Sequence, residues 1–268
     1  MGTVTRTVYD DLDRPVQTWV GIDDRGFGQV ANGQTKRGDT TLVAEREYDD
    51  GVAGDGNLTK VTLHPGVGAD RVTRMWYDWR GRVVASYDGL ATAARKLDNL
   101  GRPIKQYVYE QDGGGIVTMD GVPAPTNDSL MRAMSKTEYD ARGRAFRTTA
   151  FEVDQAEGAE RDSEGYNKLV TGYWYDQRDN LVKTANPGGL VGKTEYDRAD
   201  RAAARIFSDG KDDVTWTHAM NLEADVVISR VDTQYDRNGN PIFLHTAQRQ
   251  AAGGFRDSYA AQYYDLGD

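Results

Sequence analysis

The stretch that decides the fold is Ser135–Phe151, SKTEYDARGRAFRTTAF. Lys136, Thr137, Glu138 and Tyr139 alternate into a short polar turn, and Ala145 to Phe151 alternate out of it, which is the pattern of a β-hairpin. The turn itself, Tyr139-Asp140-Ala141-Arg142-Gly143-Arg144, has the form Y-D-x-x-[G/D]-[R/N]. That form begins at Tyr9, Tyr77, Tyr139, Tyr175, Tyr196 and Tyr235, far more often than this composition produces by chance, and so marks a repeat architecture. Two further copies are degenerate. Leu97-Asp98-Asn99-Leu100-Gly101-Arg102 lacks the tyrosine, and Tyr48-Asp49 reaches Gly56-Asn57 through a longer turn. A ninth copy, Tyr264-Asp265-Leu266-Gly267-Asp268, stops before its sixth position, so the chain is expected to be a piece of something longer, cut within a repeat.

Each position of the motif has a physical task. Position five is glycine at Gly56, Gly81, Gly101, Gly143 and Gly239 and aspartate at Asp13, Asp179 and Asp200, the residues that accept the positive φ a tight hairpin needs. Position two is followed four residues later by arginine in Asp10/Arg14, Asp78/Arg82, Asp98/Arg102, Asp140/Arg144 and Asp197/Arg201. Asn180 and Asn240 take the arginine's place after Asp176 and Asp236. Across a turn this spacing lets the carboxylate meet both free backbone N–H groups and the guanidinium. An exposed pair of this kind contributes about 1 kcal/mol or less, so its recurrence specifies register more than it adds stability. The tyrosine at position one offers a large apolar body to the neighbouring hairpin and a hydroxyl that can stay wet. Asp, Tyr and Arg also form an acid–base trio, but an identical trio at turn after turn reads as a structural device.

Tyr77-Asp78-Trp79-Arg80-Gly81-Arg82-Val83 and Tyr139-Asp140-Ala141-Arg142-Gly143-Arg144-Ala145 carry the motif most fully, and on these residues the chain resembles the RHS/YD-repeat family. The resemblance runs from Tyr9 to Asp268 and implies one continuous array of antiparallel β-hairpins over residues 1–268, wound into a curved or spiral sheet that is part of a shell. In complete relatives such a shell closes; bacterial members enclose a C-terminal toxin with it, and animal teneurins use a similar one for adhesion at the cell surface. No family-type terminating segment is found here, so neither self-cleavage nor toxicity passes to any residue of this chain.

Composition leans the same way. The 268 residues suffice for a substantial core. Aspartate outnumbers glutamate 32 to 10 and arginine outnumbers lysine 24 to 9, so helix-solubilising residues are scarce and turn formers abound. A formal net charge of −9 argues against a nucleic-acid backbone as partner. No apolar run reaches the roughly 18 residues of a membrane span. The absence of cysteine excludes disulfides and thiolate metal sites. Location is expected to be secreted or cell-surface, with the export signal outside this sequence.

Along the chain, Gly21 to Asp39 reads as a long loop with one weak strand, Ala91 to Lys96 as a strand despite some helical propensity, and Ile104 to Tyr109 as a strand with Tyr107 and Tyr109 on one face. Glu110 to Asp128, with Gly113 to Gly115, Pro123 and Pro125, reads as an excursion from the sheet almost without periodicity. Val153 to Asn167 and Ser208 to Asp225 read as further long loops. Tyr9, Tyr48 and Tyr77 recur at Tyr196, Tyr235 and Tyr264 with an offset of 187, which fits either a higher-order repeat or a coincidence of two gaps.

Chemistry-bearing clusters are weak. His64, His218 and His245 sit in unrelated contexts without ligand spacing, and no nucleophile elbow accompanies the serines, so neither a metal site nor catalysis is expected, and no cofactor. Asp49-Asp50-Gly51 with Asp55 and Asn57, and Ser208-Asp209-Gly210 with Asp212 and Asp213, offer clustered oxygens, but neither matches the twelve-residue calcium loop and both read as turns. Most aromatics are expected to pack on the sheet; Trp79 and Trp216, in loops, are the candidates for stacking on a carbohydrate. Two functions follow. One is a non-catalytic wall segment of a shell or filament, whose partners are the remaining repeats or an enclosed domain of the parent protein. The other is an adhesion or carbohydrate-binding module that uses the long loops. Open sheet edges additionally predict self-association.

Overall fold

The computed structural model describes residues 2–28, 30–31, 34–35, 38–51, 54–111, 116–119, 122–125, 127–158, 167–210, 222 and 225–264. The chain is all-β, apart from two single 3-10 turns at Asp49–Gly51 and Asp128–Leu130. It divides into two compact units, residues 1–135 with 151–166, and residues 136–150 with 167–268.

The first unit is an antiparallel meander. β1 (Val4–Tyr9) pairs with β2 (Pro15–Asp23); the short β3 (Val30–Ala31) and β4 (Gln34–Thr35) pair with each other, and β2 continues to β5 (Asp39–Tyr48). From β5 the ladder passes through β6 (Leu58–Leu63), β7 (Arg71–Tyr77), β8 (Val83–Tyr87) and β9 (Ala91–Leu97) to β10 (Pro103–Glu110). The loop expected at Gly21–Asp39 is therefore shorter, because β2 runs on to Asp23. The excursion from Glu110 to Asp128 holds order that its sequence hides. β11 (Ile116–Met119) and β12 (Val122–Pro125) form a hairpin of their own, in which Pro123 stands opposite Thr118 and Pro125 opposite Ile116. A two-stranded ladder is all edge, and two prolines of one parity fall where no N–H is required. Alternation of β8, β9 and β10 puts Ala85, Ala94, Tyr107 and Tyr109 inside with Met131, Met134, Phe151 and Val153, the core cluster of this unit. Val108 points outward, as the sequence requires.

β13 (Met131–Tyr139) and β14 (Ala145–Phe151) contribute residues to both units. The second unit continues with β15 (Lys168–Tyr175), β16 (Leu181–Ala185), β17 (Val191–Tyr196), β18 (Ala202–Ser208), β19 (Val227–Tyr235), β20 (Pro241–Arg249) and β21 (Phe255–Ala261), each from β16 on antiparallel to the one before. Within each unit the Y-D turns join successive strands at one end of the ladder and the other connections join them at the opposite end. Val182, Val191, Ala204 and Ile206 are buried in this unit, and so are Lys183, Lys193 and Ser208.

Candidate functional site

The repeated feature is the turn, and its geometry is constant. At Tyr139–Arg144 the Asp140 amide donates to the Arg144 carbonyl and the Gly143 amide to the Asp140 carbonyl, both at 2.9 Å. This is a type I turn closed by a left-handed residue in a bulge. Position five takes φ of 72° at Gly81, 85° at Gly143 and 95° at Gly239, and of 59° at Asp13, 70° at Asp179 and 58° at Asp200, so the Gly/Asp choice is a backbone requirement. Gly239 closes its turn as Gly143 does, its amide donating to the Asp236 carbonyl at 3.3 Å. Its role is therefore confined to the backbone, and the same holds for Gly81 and Gly143. The bulge appears as a register shift beside Tyr9, Tyr48, Tyr77, Tyr175, Tyr196 and Tyr235.

One carboxylate organises each turn. Asp140 Oδ1 accepts the amides of Arg142 and Arg144, both at 2.9 Å, and Oδ2 accepts Arg144 Nε at 2.8 Å. Asp10, Asp78, Asp98 and Asp197 repeat these three bonds with Arg14, Arg82, Arg102 and Arg201. Where asparagine replaces arginine, the Asn180 and Asn240 side-chain amides donate to Asp176 and Asp236 at 3.0 and 3.2 Å. The long turn keeps the logic, since Asp49 accepts the amides of Gly56 and Asn57. The position-six amide, with the guanidinium behind it, holds Asp10, Asp98, Asp140 and Asp197 below the usual carboxylate range, against their partial desolvation. At Asp78 burial pushes the carboxyl up, and Arg82 with the turn amides outweighs it.

The turns also lock to one another, which the sequence did not reveal. The position-one hydroxyl, which the sequence leaves able to stay wet, donates to the carbonyl that follows the preceding turn. Tyr77 donates to Leu58 at 2.8 Å, Tyr175 to Ala145 at 2.8 Å, Tyr196 to Leu181 at 3.1 Å and Tyr235 to Ala202 at 3.0 Å. Tyr48 and Tyr264 do the same with Pro15 and Pro241. From the other direction the position-six guanidinium lies over the next tyrosine ring: Arg14 over Tyr48 at 4.5 Å, Arg144 over Tyr175 at 4.6 Å and Arg201 over Tyr235 at 4.7 Å. It then reaches the next turn's aspartate, through Arg82 to the Asp98 carbonyl at 3.2 Å and Arg201 to the Asp236 carbonyl at 2.9 Å. Position four adds a strap, with Arg80 donating to the Asn99 carbonyl and Arg178 to the Arg198 carbonyl. Burial raises the Tyr77 and Tyr175 phenols, so these hydroxyls remain protonated donors. Tyr48 with Pro15 and Tyr235 with Ala202 make the hydroxyl–carbonyl contact 187 residues apart, and Tyr77 with Leu58 and Tyr264 with Pro241 make it too, as do Tyr175 and Tyr196 outside that offset.

The remaining candidates separate. Trp79 is 81% exposed on its turn and stacks on Arg80 at 4.6 Å. Trp216 and His218 lie outside the described residues. Of the expected oxygen clusters, Asp49 is taken up by its turn and by Arg14 at 3.0 Å, and Ser208 donates to Asp225 at 2.7 Å. Among the described residues no three His, Asp or Glu side chains gather as a metal site would need. In the second unit a cleft of about 570 Å³ is bordered by Phe146, Arg147, Tyr173, Trp174 and Asn186. Trp174 lies across the backbone of Gly172, where a Cβ would meet its ring at 2.7 Å, and under the Lys183 ammonium at 4.4 Å. His64 sits between Glu45 of β5 and Asp70 of the loop before β7, and His245 between Asp232 of β19 and Asp257 of β21, carboxylates without metal-ligand spacing in the sequence.

No family model matches the chain. No curated protein matches it either. Among solved structures it is similar to the crystal structure of TcdB2-TccC3-Cdc42, with 13% identity and a TM-score of 0.43, over 92% of this chain and 12% of that one. It is similar to TcdB2-TccC3 without its hypervariable C-terminal region at 13% identity and a TM-score of 0.43, covering 90% and 11% of the two chains. The Photorhabdus luminescens Tc holotoxin pore with a TccC3 mutation gives 14% identity and a TM-score of 0.43, covering 92% and 11%. The chain thus spans a small part of the structures it matches.

Proposed function

We propose that the chain is a non-catalytic wall segment of an RHS/YD-type shell or filament, secreted or displayed at the cell surface, which encloses or presents other parts of a larger protein. The observation that supports this most directly is the turn-to-turn lock. Its residues are spent on one another: the aspartates on their own turn amides, the tyrosine hydroxyls on the preceding carbonyls, the arginines on the following turn. A motif engaged in this way is occupied in building wall. Electron microscopy of the parent protein tests the reading. A hairpin wall around or beneath another segment is expected; a free-standing module with nothing enclosed or displayed overturns it.

A second reading, a carbohydrate-binding surface, draws on the aromatic cleft around Phe146, Tyr173 and Trp174 and on the exposed Trp79. Its test is a glycan array. Saturable binding that falls on Tyr173→Ala or Trp79→Ala supports it, and an array without signal removes it.

A further inference from the structure

Positive φ restricts position five to glycine or aspartate and does not say which of the two a turn takes. A second regularity separates them. From position four of one turn to position five of the next, Arg142 is followed by Asp179 and Arg178 by Asp200, whereas Leu12, Asp55, Leu100 and Ala199 are followed by Gly56, Gly81, Gly143 and Gly239. Asn238, also a donor, is followed by Asp268, which lies outside the described residues. Arg80, followed by Gly101, departs from the pattern.

Contacts between the turns account for this order. At Asp179 one carboxylate oxygen, Oδ1, accepts Arg142 Nη1 at 3.0 Å and Arg144 Nη1 at 2.6 Å, from positions four and six of the preceding turn. At Asp200, Oδ1 accepts Arg178 Nη1 at 2.7 Å and Asn180 Nδ2 at 2.8 Å, from the same two positions. The two position-four arginines also donate to the position-three carbonyl of the following turn, Arg142 to Gln177 at 3.2 Å and Arg178 to Arg198 at 3.3 Å. Where position five is glycine that carbonyl contact has no carboxylate beside it, as in Arg80 to Asn99 at 2.8 Å.

We infer that aspartate at position five is a receptor that selects the preceding hairpin, taking one that offers a cation from position four. The tyrosine and position-six contacts admit any Y-D hairpin; the aspartate adds a preference among them. An L-residue held at φ 70° in Asp179 or 58° in Asp200 is strained relative to glycine, and the charge-assisted bonds offset that strain only when the right neighbour stands in front. A hairpin with leucine or alanine at position four leaves such a carboxylate short of a donor, and glycine serves better behind it. The partner that fits this surface is therefore a Y-D turn with arginine at position four. The turns beginning at Tyr139, Tyr175 and Tyr196 form one run joined in this way, whatever the wall encloses.

Double-mutant cycles in the full chain test the receptor, read as unfolding equilibrium constants in denaturant. Arg178→Ala with Asp200→Gly, and Arg142→Ala with Asp179→Gly, are expected to couple by about two- to five-fold at low salt, the loss of aspartate costing more while the arginine is present. Both pairs are half-exposed, so most of the coupling is expected to vanish in about 1 M salt. The exceptional joint extends the test. A Cβ at Gly101 stands 3.2 Å from Arg82 Nη1, and Gly101→Asp is expected to couple to Arg80→Ala by a similar factor. Effects of Asp200→Gly and Asp179→Gly that are the same with and without the arginine mean a backbone preference alone and overturn the inference. A Gly101→Asp change indifferent to Arg80 overturns it equally, since a receptor set by position must be portable.

Discussion

The two units share a turn and differ in what they bury. In the first, the interior is aromatic and thioether: Tyr107, Tyr109, Met131, Met134 and Phe151. In the second, Lys183 and Lys193 face each other across β16 and β17 at 2% and 4% exposure, and Lys193 Nζ lies 2.8 Å from the buried Asp225, which also accepts Ser208. The comparison teaches that the repeat specifies the turn end of each hairpin and leaves the sheet face open to different solutions. An apolar face draws on burial and packing. A face with buried ions draws on pairing and is intolerant of losing either partner.

Substitutions sharpen that contrast. Lys193→Met, which strands Asp225, is expected to destabilise by about 3–5 kcal/mol, and the double change with Asp225→Leu to recover most of the loss, in denaturant titrations of both variants. If single and double variants are equally unstable, the ion pair is not the organising contact of that face. Met131→Ala, a cavity with no charge left behind, is expected to cost about 2–5 kcal/mol, with no partner substitution in the second unit able to restore it. Asp78→Ala, which removes three bonds from a turn at 7% side-chain exposure, is expected to cost about 1.5–3 kcal/mol. A matching loss at the equivalent Asp176 would show that the turns, unlike the faces, are interchangeable.

Acid and base act in opposite directions on this scaffold. The turn aspartates have depressed folded-state values, so their stabilisation is present above about 3.8 and disappears as pH falls through the folded-state values. The two histidines have raised values, so theirs is present below about 6.5 and disappears as pH rises through the folded-state values. Thermal melts across pH are expected to peak between these limits; a plateau extending to strongly acidic pH would mean the turn carboxylates contribute nothing. The smallest effect is the most specific. Tyr77→Phe, which deletes one hydroxyl bond to Leu58, is expected to cost about 1 kcal/mol. Tyr9→Phe, on a ring 57% exposed whose hydroxyl meets no carbonyl among the described residues, is expected to cost close to nothing.

What was legible in the sequence is what is local. Asp140 and Arg144 stand four residues apart, so the turn, its positive φ and its internal ion pair follow from spacing alone, and the hairpins follow from the alternation beside them. The lock between turns was not legible, because Arg14 meets Tyr48 and Arg144 meets Tyr175 across connections of different length and composition. The hairpin of β11 and β12 was hidden by Pro123 and Pro125, which read as breakers until both strands are known to be edges. The burial of Lys183 and Lys193 has no local signal, since nothing in the spacing around them announces Asp225 or the Trp174 ring. The histidines read as isolated because their carboxylates come from other strands or a connecting loop.

The lock has a direction: its tyrosines hand a hydroxyl backward and its position-six arginines a guanidinium forward. A hairpin of this kind is a tile with two unlike ends, and any tile fits behind any other whatever loop length or sheet face it carries. Duplication, deletion or exchange of whole hairpins at the gene level therefore preserves every joint, whereas an inverted or half-deleted hairpin destroys two.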